Sequence, residues 1–313
     1  MRAAAVLGLG SHRPALRVDN HAIAARTDSS DEWIRERSGI VTRGVAGDDE
    51  STVDMAASAG GKALAAAGID ADAVSLVLLA TCSMPGPLPG GSPEVAYRLG
   101  ATSAGASDVG AGCAGFTYAL SMAADAVRTG SADHVLVIGS EKLTPMVDPD
   151  DRGTAFLFGD GAGAAVGGAA AVDGIGRGAW ATDGEPHAAR THHRTPVQLA
   201  MNGRAIYRWA TTSLPDLARR ACANAGIEPG DLAAFVPHQA NLRITESVVK
   251  SLKLPASVVV ARDVVDSGNT SAASVPLALT RLHEQGEVRT GDQVLLLGFG
   301  AGLTAAGQVV RCP

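Results

Sequence analysis

"ALAAAGIDADAVSLVLLA" (residues 63–80) and "ACANAGIEPGDLAAFVPH" (residues 221–238) are two versions of one unit, 158 residues apart. Each reads as an Ala-rich helix closed by Ala-Gly-Ile and followed by a buried strand. "DHVLVIGS" from Asp133 and "DQVLLLGF" from Asp292 repeat at an offset of 159 and read as a second pair of buried strands ending near Gly. A repeat of about half the chain is a duplication rather than a solenoid period. Apolar Val/Ile/Leu runs alternating with Ala-rich helical stretches predict an α/β architecture with largely buried strands. The boundary is expected at 172/173, giving halves 1–172 and 173–313 related by a pseudo-twofold axis.

Composition narrows the class. The 313 residues are 46% hydrophobic and 19% charged, enough to bury a large core and far from a disordered composition. The 38 glycines with only 4% aromatics suit close packing of helices on sheets. "GAGAAVGGAAAV", ending at Val172, is shorter than the roughly 18 residues of a membrane span. "MRAAAVLGLG" is read as a first strand, since it lacks the cleavage region of a secretory signal. A net charge of −6 argues against nucleic acid as a partner. The cysteines at 82, 113, 222 and 312 show no zinc or redox spacing, and a chain of this length needs no disulfide staples, so the reducing cytoplasm is expected.

The offset of 159 carries Cys113, in "DVGAGCAGFTYAL", onto Ala272, in "SGNTSAASVPLAL". Two equivalent helix starts should therefore meet near one centre, where a crevice can form. A cysteine at a helix start feels the positive end of the dipole and nearby N–H groups, so Cys113 is expected to have a lowered pKa and to be a nucleophile. A buried structural thiol is the competing reading. "VPHQANLRI" ends a strand at His238, and "SGNTSAAS" puts Asn269 before a helix. Alone, His238 could be a satisfied core histidine and Asn269 a helix cap; together with Cys113, at places related by the repeat, they read as a site.

With these motifs and "TDSSDEWIRERSGI", "DRGTAFLFGDGAGAAV" and "LLLGFGAGLTAAGQVVR", nearly the whole chain resembles the thiolase-like condensing enzymes, most closely β-ketoacyl carrier-protein synthase III. The resemblance implies a duplicated αβαβα layered fold and a triad of Cys113, His238 and Asn269. Cys113 would take an acyl group from coenzyme A, and malonyl carrier protein would lose CO2 and attack the thioester, giving a 3-oxoacyl carrier protein to initiate fatty-acid or polyketide synthesis. His238 Nε2 and the Asn269 amide would hold the enolate, and the backbone N–H groups of Cys113 and Ala301 would form a second oxyanion hole. Ala301 stands where the family usually has Gly, which a backbone donor tolerates if φ stays allowed.

The resemblance further implies coenzyme A and pantetheine contacts at Trp33, Arg37, Arg152 and Asn241, with the Trp face and Arg forks suited to adenine and phosphate. It implies an acidic carrier protein, for which Arg208, Arg243 and Lys250 are docking candidates. It also implies a homodimer in which Leu88, in "MPGPLPGGSP", shapes the partner's acyl pocket, with acyl-CoA and malonyl carrier protein as substrates and no cofactor or metal.

Near relatives differ in this pattern: elongating ketosynthases have a second His in place of the Asn, and thiolases a second Cys in the terminal glycine loop, which here reads "GFGAG". An acyltransferase on the same scaffold, passing the Cys113 acyl group to an alcohol, amine or carrier thiol without condensation, is the nearest alternative. A papain-like Cys-His-Asn hydrolase is disfavoured by the missing aromatic after the Cys and by the duplication. A non-catalytic partner subunit would more naturally have lost one of the three residues.

His187, His192 and His193 are not read as a metal site, since no carboxylate or Cys at ligand spacing accompanies them. They lie in the 184–201 connection, which looks shorter than the family's usual one and is expected to leave the site mouth more open.

Overall fold

The computed structural model describes residues 2–86, 88–184, 189–192 and 198–313. In chain order the elements begin with β1 (Ala3–His12), β2 (Leu16–Asp19), α1 (Asn20–Thr27), α2 (Asp31–Ser38), β3 (Thr42–Val45) and α3 (Thr52–Ala67). They continue through β4 (Leu76–Ala80), α4 (Ser92–Leu99), β5 (Gly105–Val109), α5 (Gly115–Thr129), β6 (His134–Glu141) and β7 (Gly161–Ala170). After these come β8 (Ala179–Thr182), β9 (Ala189–His192), β10 (Gln198–Met201), α6 (Gly203–Asn224), β11 (Ala234–Pro237) and α7 (Leu242–Leu252). The last are β12 (Val259–Val260), α8 (Val264–Ser267), α9 (Ser274–Glu284), β13 (Gln293–Gly300) and β14 (Thr304–Arg311).

Two five-stranded sheets carry the fold, ordered β1-β7-β6-β4-β5 and β8-β14-β13-β11-β12. The orders match strand for strand, and β6 with β13 and β4 with β11 are the pairs of the sequence repeat. In each sheet the central pair is parallel and the return strand antiparallel. The Ala-Gly-Ile closures of α3 and α6 turn the chain with Gly68 at φ +65° and Gly226 at φ +72°, values that a Cβ disfavours.

Period-two alternation puts the strands between layers. Val135 and Val137 of β6 face inward with Phe116 and Leu120 of α5 and Val275 and Leu279 of α9, and Val294 and Leu296 of β13 complete this middle core. Leu136 and Ile138 face outward onto α3 and α4, while Leu295 and Leu297 face outward onto α6 and α7. The layers are therefore helix, sheet, helix, sheet, helix, the αβαβα arrangement the resemblance implies. The small residues allow this closeness: a Cβ on Gly10 of β1 would run into the Ala59 carbonyl oxygen of α3. Among the described residues no helix is long and apolar enough to cross a membrane.

Candidate active site

Between the sheets, two short turns face each other ahead of the middle helices. Gly112–Ala114 leads into α5, and Ser271–Ala273 leads into α9. Each is braced by a strand of the opposite half. A Cβ on Gly300, at the end of β13, would stand 2.8 Å from the Cys113 backbone nitrogen, and one on Gly139 of β6 would strike the Ala272 carbonyl oxygen.

A cavity opens at this meeting point, and Cys113, His238 and Asn269 all line it. Its other walls are mostly apolar: Leu143, Phe158, Leu199, Met201, Ile206 and Phe299. Such a lining suits an acyl chain and keeps water from a thioester.

Burial dominates the electrostatics. It pushes the Cys113 thiol up to about 11, with the Glu141 charge adding to the rise and Ser271 and the cysteine's own backbone N–H opposing it. This corrects the expected lowering. Cys113 sits in the turn before α5, where removal from water outweighs the help of a helix terminus. Burial also lowers His238 to about 3, so the imidazole is neutral. It packs edge-on against Phe299, with ring centroids 4.9 Å apart, and Ser274 Oγ lies 2.7 Å from its Nδ1.

The Asn269 amide is oriented by its surroundings. Its Oδ1 accepts the Ser271 backbone N–H at 2.9 Å, which leaves the NH2 group to donate toward the cavity. The chain around it is held by Asn269 N–H to the Leu157 carbonyl (2.8 Å) and Gly159 N–H to the Asn269 carbonyl (3.1 Å). Thus "DRGTAFLFGDG" supports Asn269 across the interface of the halves. Ala301 borders the cavity beside Cys113, and it is not among the described residues with positive φ.

Trp33, Arg37 and Arg152 come together outside the cavity. The Arg37 and Arg152 guanidinium carbons lie 4.5 and 4.7 Å from the Trp33 ring centroid. Trp33 meets Phe156 edge-on at 5.3 Å, and Phe158, two residues on, lines the cavity. Asn241 caps α7, accepting the Ile244 N–H at 3.1 Å, next to the cavity residue Ala240. Arg208, Arg243 and Lys250 are exposed on the adjoining helices α6 and α7, with Arg243 5.8 Å from the Tyr207 ring centroid. Leu88 is 86% exposed and does not line the cavity of its own chain.

His187 and His193 lie outside the described residues, and His192 is described only through the backbone of β9. Part of the 184–201 connection is likewise undescribed, whereas its residue Leu199 is a cavity wall.

Several residues lining the cavity, or packed just behind its wall, escaped sequence reasoning. Cys82 and Ala240 follow β4 and β11 at repeat-related places and both line the cavity, so the offset of 158 could have found Cys82. Ser271 and Ser274 are where the offset of 159 sends Gly112 and Gly115. Glu141 is fully buried, its carboxylate accepting from Thr81 Oγ1 (3.1 Å), Cys82 N–H (3.1 Å) and Ala272 N–H (3.4 Å). Leu143 and Ile206 belong to none of the motifs quoted above, and Phe158 lies in "DRGTAFLFGDGAGAAV" with nothing local to mark it as a cavity wall.

The chain and its fold are similar to known proteins. Residues 107–184 match the family described as 3-oxoacyl-[acyl-carrier-protein (ACP)] synthase III, and residues 222–312 match its C-terminal counterpart. The chain is 50% identical over 311 residues to β-ketoacyl-[acyl-carrier-protein] synthase III 4 of Streptomyces coelicolor, covering 98% of each chain. Among solved structures it resembles the priming β-ketosynthase of the R1128 polyketide biosynthetic pathway, with TM-score 0.98, 44% identity and coverage of 100% and 97%. It also resembles 3-oxoacyl-(acyl carrier protein) synthase III of Pseudomonas aeruginosa PAO1, with TM-score 0.94, 38% identity and coverage of 100% and 99%.

Proposed function

The chain belongs to the β-ketoacyl-[acyl-carrier-protein] synthase III family, and from that premise we propose how its residues divide the reaction. It is an acyltransferase working through a cysteine thioester: it condenses an acyl-CoA starter with malonyl carrier protein, with loss of CO2, to initiate fatty-acid or polyketide synthesis.

In the first half-reaction Cys113 Sγ attacks the thioester carbonyl of acyl-CoA. The new C–S bond forms, the negative charge on the carbonyl oxygen is held by the Cys113 and Ala301 N–H groups, and coenzyme A leaves with the proton. In the second, the C–C bond to the malonyl carboxylate breaks and its electron pair becomes an enolate. The enolate oxygen takes hydrogen bonds from His238 Nε2–H and the Asn269 amide. The enolate carbon then attacks the acyl thioester, Cys113 leaves as thiolate, and 3-oxoacyl carrier protein is formed.

The observation that carries this reading is the pairing of two neutral donors, an imidazole kept uncharged by burial and an amide whose oxygen is already engaged, beside a thiol in one apolar cavity. Neutral donors stabilise a developing anion and have no charge that would trap the malonyl carboxylate before it leaves.

The halves 1–172 and 173–313 then divide the chemistry, the first carrying the nucleophile and the second the donors. Trp33, Arg37 and Arg152 receive the nucleotide end of coenzyme A, and Asn241 its pantetheine arm. Arg208, Arg243 and Lys250 meet the acidic carrier. The protein works in the cytoplasm, as a homodimer and without a cofactor. Leu88 reaches the partner's acyl pocket, a role its exposure supports. Leu88→Phe should shift donor preference toward shorter acyl groups, and an unchanged donor profile would remove that assignment.

Intact-protein mass spectrometry with a panel of acyl-CoAs and malonyl carrier protein tests the scheme. Acylation at Cys113 followed by a 3-oxoacyl carrier product is expected. His238→Ala and Asn269→Ala should each keep acylation and slow decarboxylation by about 10²–10³-fold. Acylated enzyme that gives no condensed carrier product would point instead to acyl transfer without condensation.

A further inference from the structure

One contact of His238 has no part in the scheme above. Ser274, fully buried at the start of α9, lies with its hydroxyl oxygen 2.7 Å from His238 Nδ1 and accepts the Gln239 backbone N–H at 3.3 Å. A serine hydroxyl has one hydrogen to give, and Nδ1 is the acceptor it reaches among the described residues. Donation from Nδ1 to the serine would instead leave a buried O–H without a partner, which is costly.

The repeat offers a control for this contact. Ser274 is the counterpart of Gly115, and His238 the counterpart of Ala80. In the first half a Cβ on Gly115 would stand 2.9 Å from the Ala80 Cβ, so the same helix start meets the same strand end with no polar atom between them. The fold therefore makes this contact without a Ser–His pair, and in the second half the pair serves something other than packing.

We propose that Ser274 is a positioning residue that donates to His238 Nδ1 and so holds the imidazole in the Nε2–H tautomer. The inference rests on the donor role assigned to His238 in decarboxylation. A neutral imidazole has one N–H, and with Nδ1 occupied as an acceptor that hydrogen sits on Nε2, the nitrogen left for substrate. The donor is then set before malonyl carrier protein arrives, and no tautomer exchange precedes the step.

Nitrogen NMR of ¹⁵N-histidine-labelled native protein reads the tautomer directly. His238 should show a bare Nδ1 and a protonated Nε2 between about pH 6 and 8; a protonated Nδ1 would overturn the proposal. In Ser274→Ala the two tautomers should mix and malonyl decarboxylation should fall about tenfold, with Cys113 acylation retained and with Ser274→Thr restoring both readouts. Unchanged tautomer and rate in Ser274→Ala would also overturn it. His238→Ala separates the two levels: if that variant decarboxylates normally, the role of His238 fails and the proposal with it. If it is impaired while Ser274→Ala is wholly native, only Ser274 loses its role. Should Ser274→Ala not fold, the native spectrum still decides.

Discussion

The turn Gly112-Cys113-Ala114-Gly115 and its counterpart Ser271-Ala272-Ala273-Ser274 share a backbone but not a chemistry. Both begin in the left-handed region, Gly112 at φ +51° and Ser271 at φ +47°, make a tight turn, and run into a middle-layer helix. Each is pinned by the opposite half: Gly300 lies against Cys113 and Gly298 against Ala114, while Gly139 lies against Ala272 and the Glu141 carboxylate accepts the Ala272 N–H. In one turn the four residues contribute a thiol between glycines. In the other they contribute two hydroxyls, Ser271 acting on the thiol and Ser274 on the histidine. Duplication thus places two equivalent pedestals about one centre, and side-chain exchange alone makes one the nucleophile's and the other its support.

The largest way to break this comparison is to make the first turn like the second. Cys113→Ala reproduces the residue at Ala272 and should abolish acyl-enzyme, lowering the rate by about 10³-fold or more. Mass spectrometry with acyl-CoA checks this, and a surviving acyl adduct at another residue would move the nucleophile elsewhere.

Next in size is the brace. Gly300→Ala puts a methyl 2.8 Å from both the Cys113 nitrogen and its Cβ. Because backbone lies on one side, the expected cost is about 1–3 kcal/mol of stability, seen as a lower melting temperature, with acylation impaired as the turn shifts. An unchanged melting temperature would show that the turns are free to move apart.

The pH profile sharpens the contrast between the two protonation states. With the thiol pushed up to about 11, the reactive thiolate increases as pH rises, so acylation should climb about tenfold per unit from pH 7 toward 10. His238, lowered to about 3, stays neutral above about pH 5, so decarboxylation by pre-acylated enzyme should show no break near pH 6.5. Single-turnover kinetics of each half-reaction separates the two. A flat acylation profile would mean that substrate binding itself activates the thiol.

The smallest effect is expected from Ser271→Gly, which gives the second turn the first residue of the first. Glycine relieves the left-handed φ, a change worth within about 1 kcal/mol. The hydroxyl that opposes the rise of the Cys113 pKa is lost, so acylation should slow severalfold at pH 7. Native acylation kinetics in this variant would leave Ser271 a backbone role only.

Much of this was legible in the sequence because the duplication left a readable offset. The copies around Ala63 and Ala221 and the strands from Asp133 and Asp292 lead to equivalent elements, and family motifs carry Cys113, His238 and Asn269. Leu143, Phe158, Met201 and Ile206 were not legible as cavity walls. They come from separate segments and meet only when the sheets pack face to face about α5 and α9. The raised pKa of Cys113 was not legible for the same kind of reason: a helix start is local and can be seen in sequence, but the burial that outweighs it is contributed in part by the other half.

The sequence alone determined the duplicated α/β layout, the strand and helix periodicities and the identities of the thiol, imidazole and amide, since each is carried by a local pattern or by a repeat along the chain. The tertiary structure decided the rest: which strand end braces which turn, why burial raises the thiol and keeps the imidazole neutral, and which serine lies against the thiol and which against the imidazole. Those depend on desolvation and on distances of a few ångströms between residues far apart in the chain, such as His238 and Ser274 or Glu141 and Ala272, and no one-dimensional pattern records them.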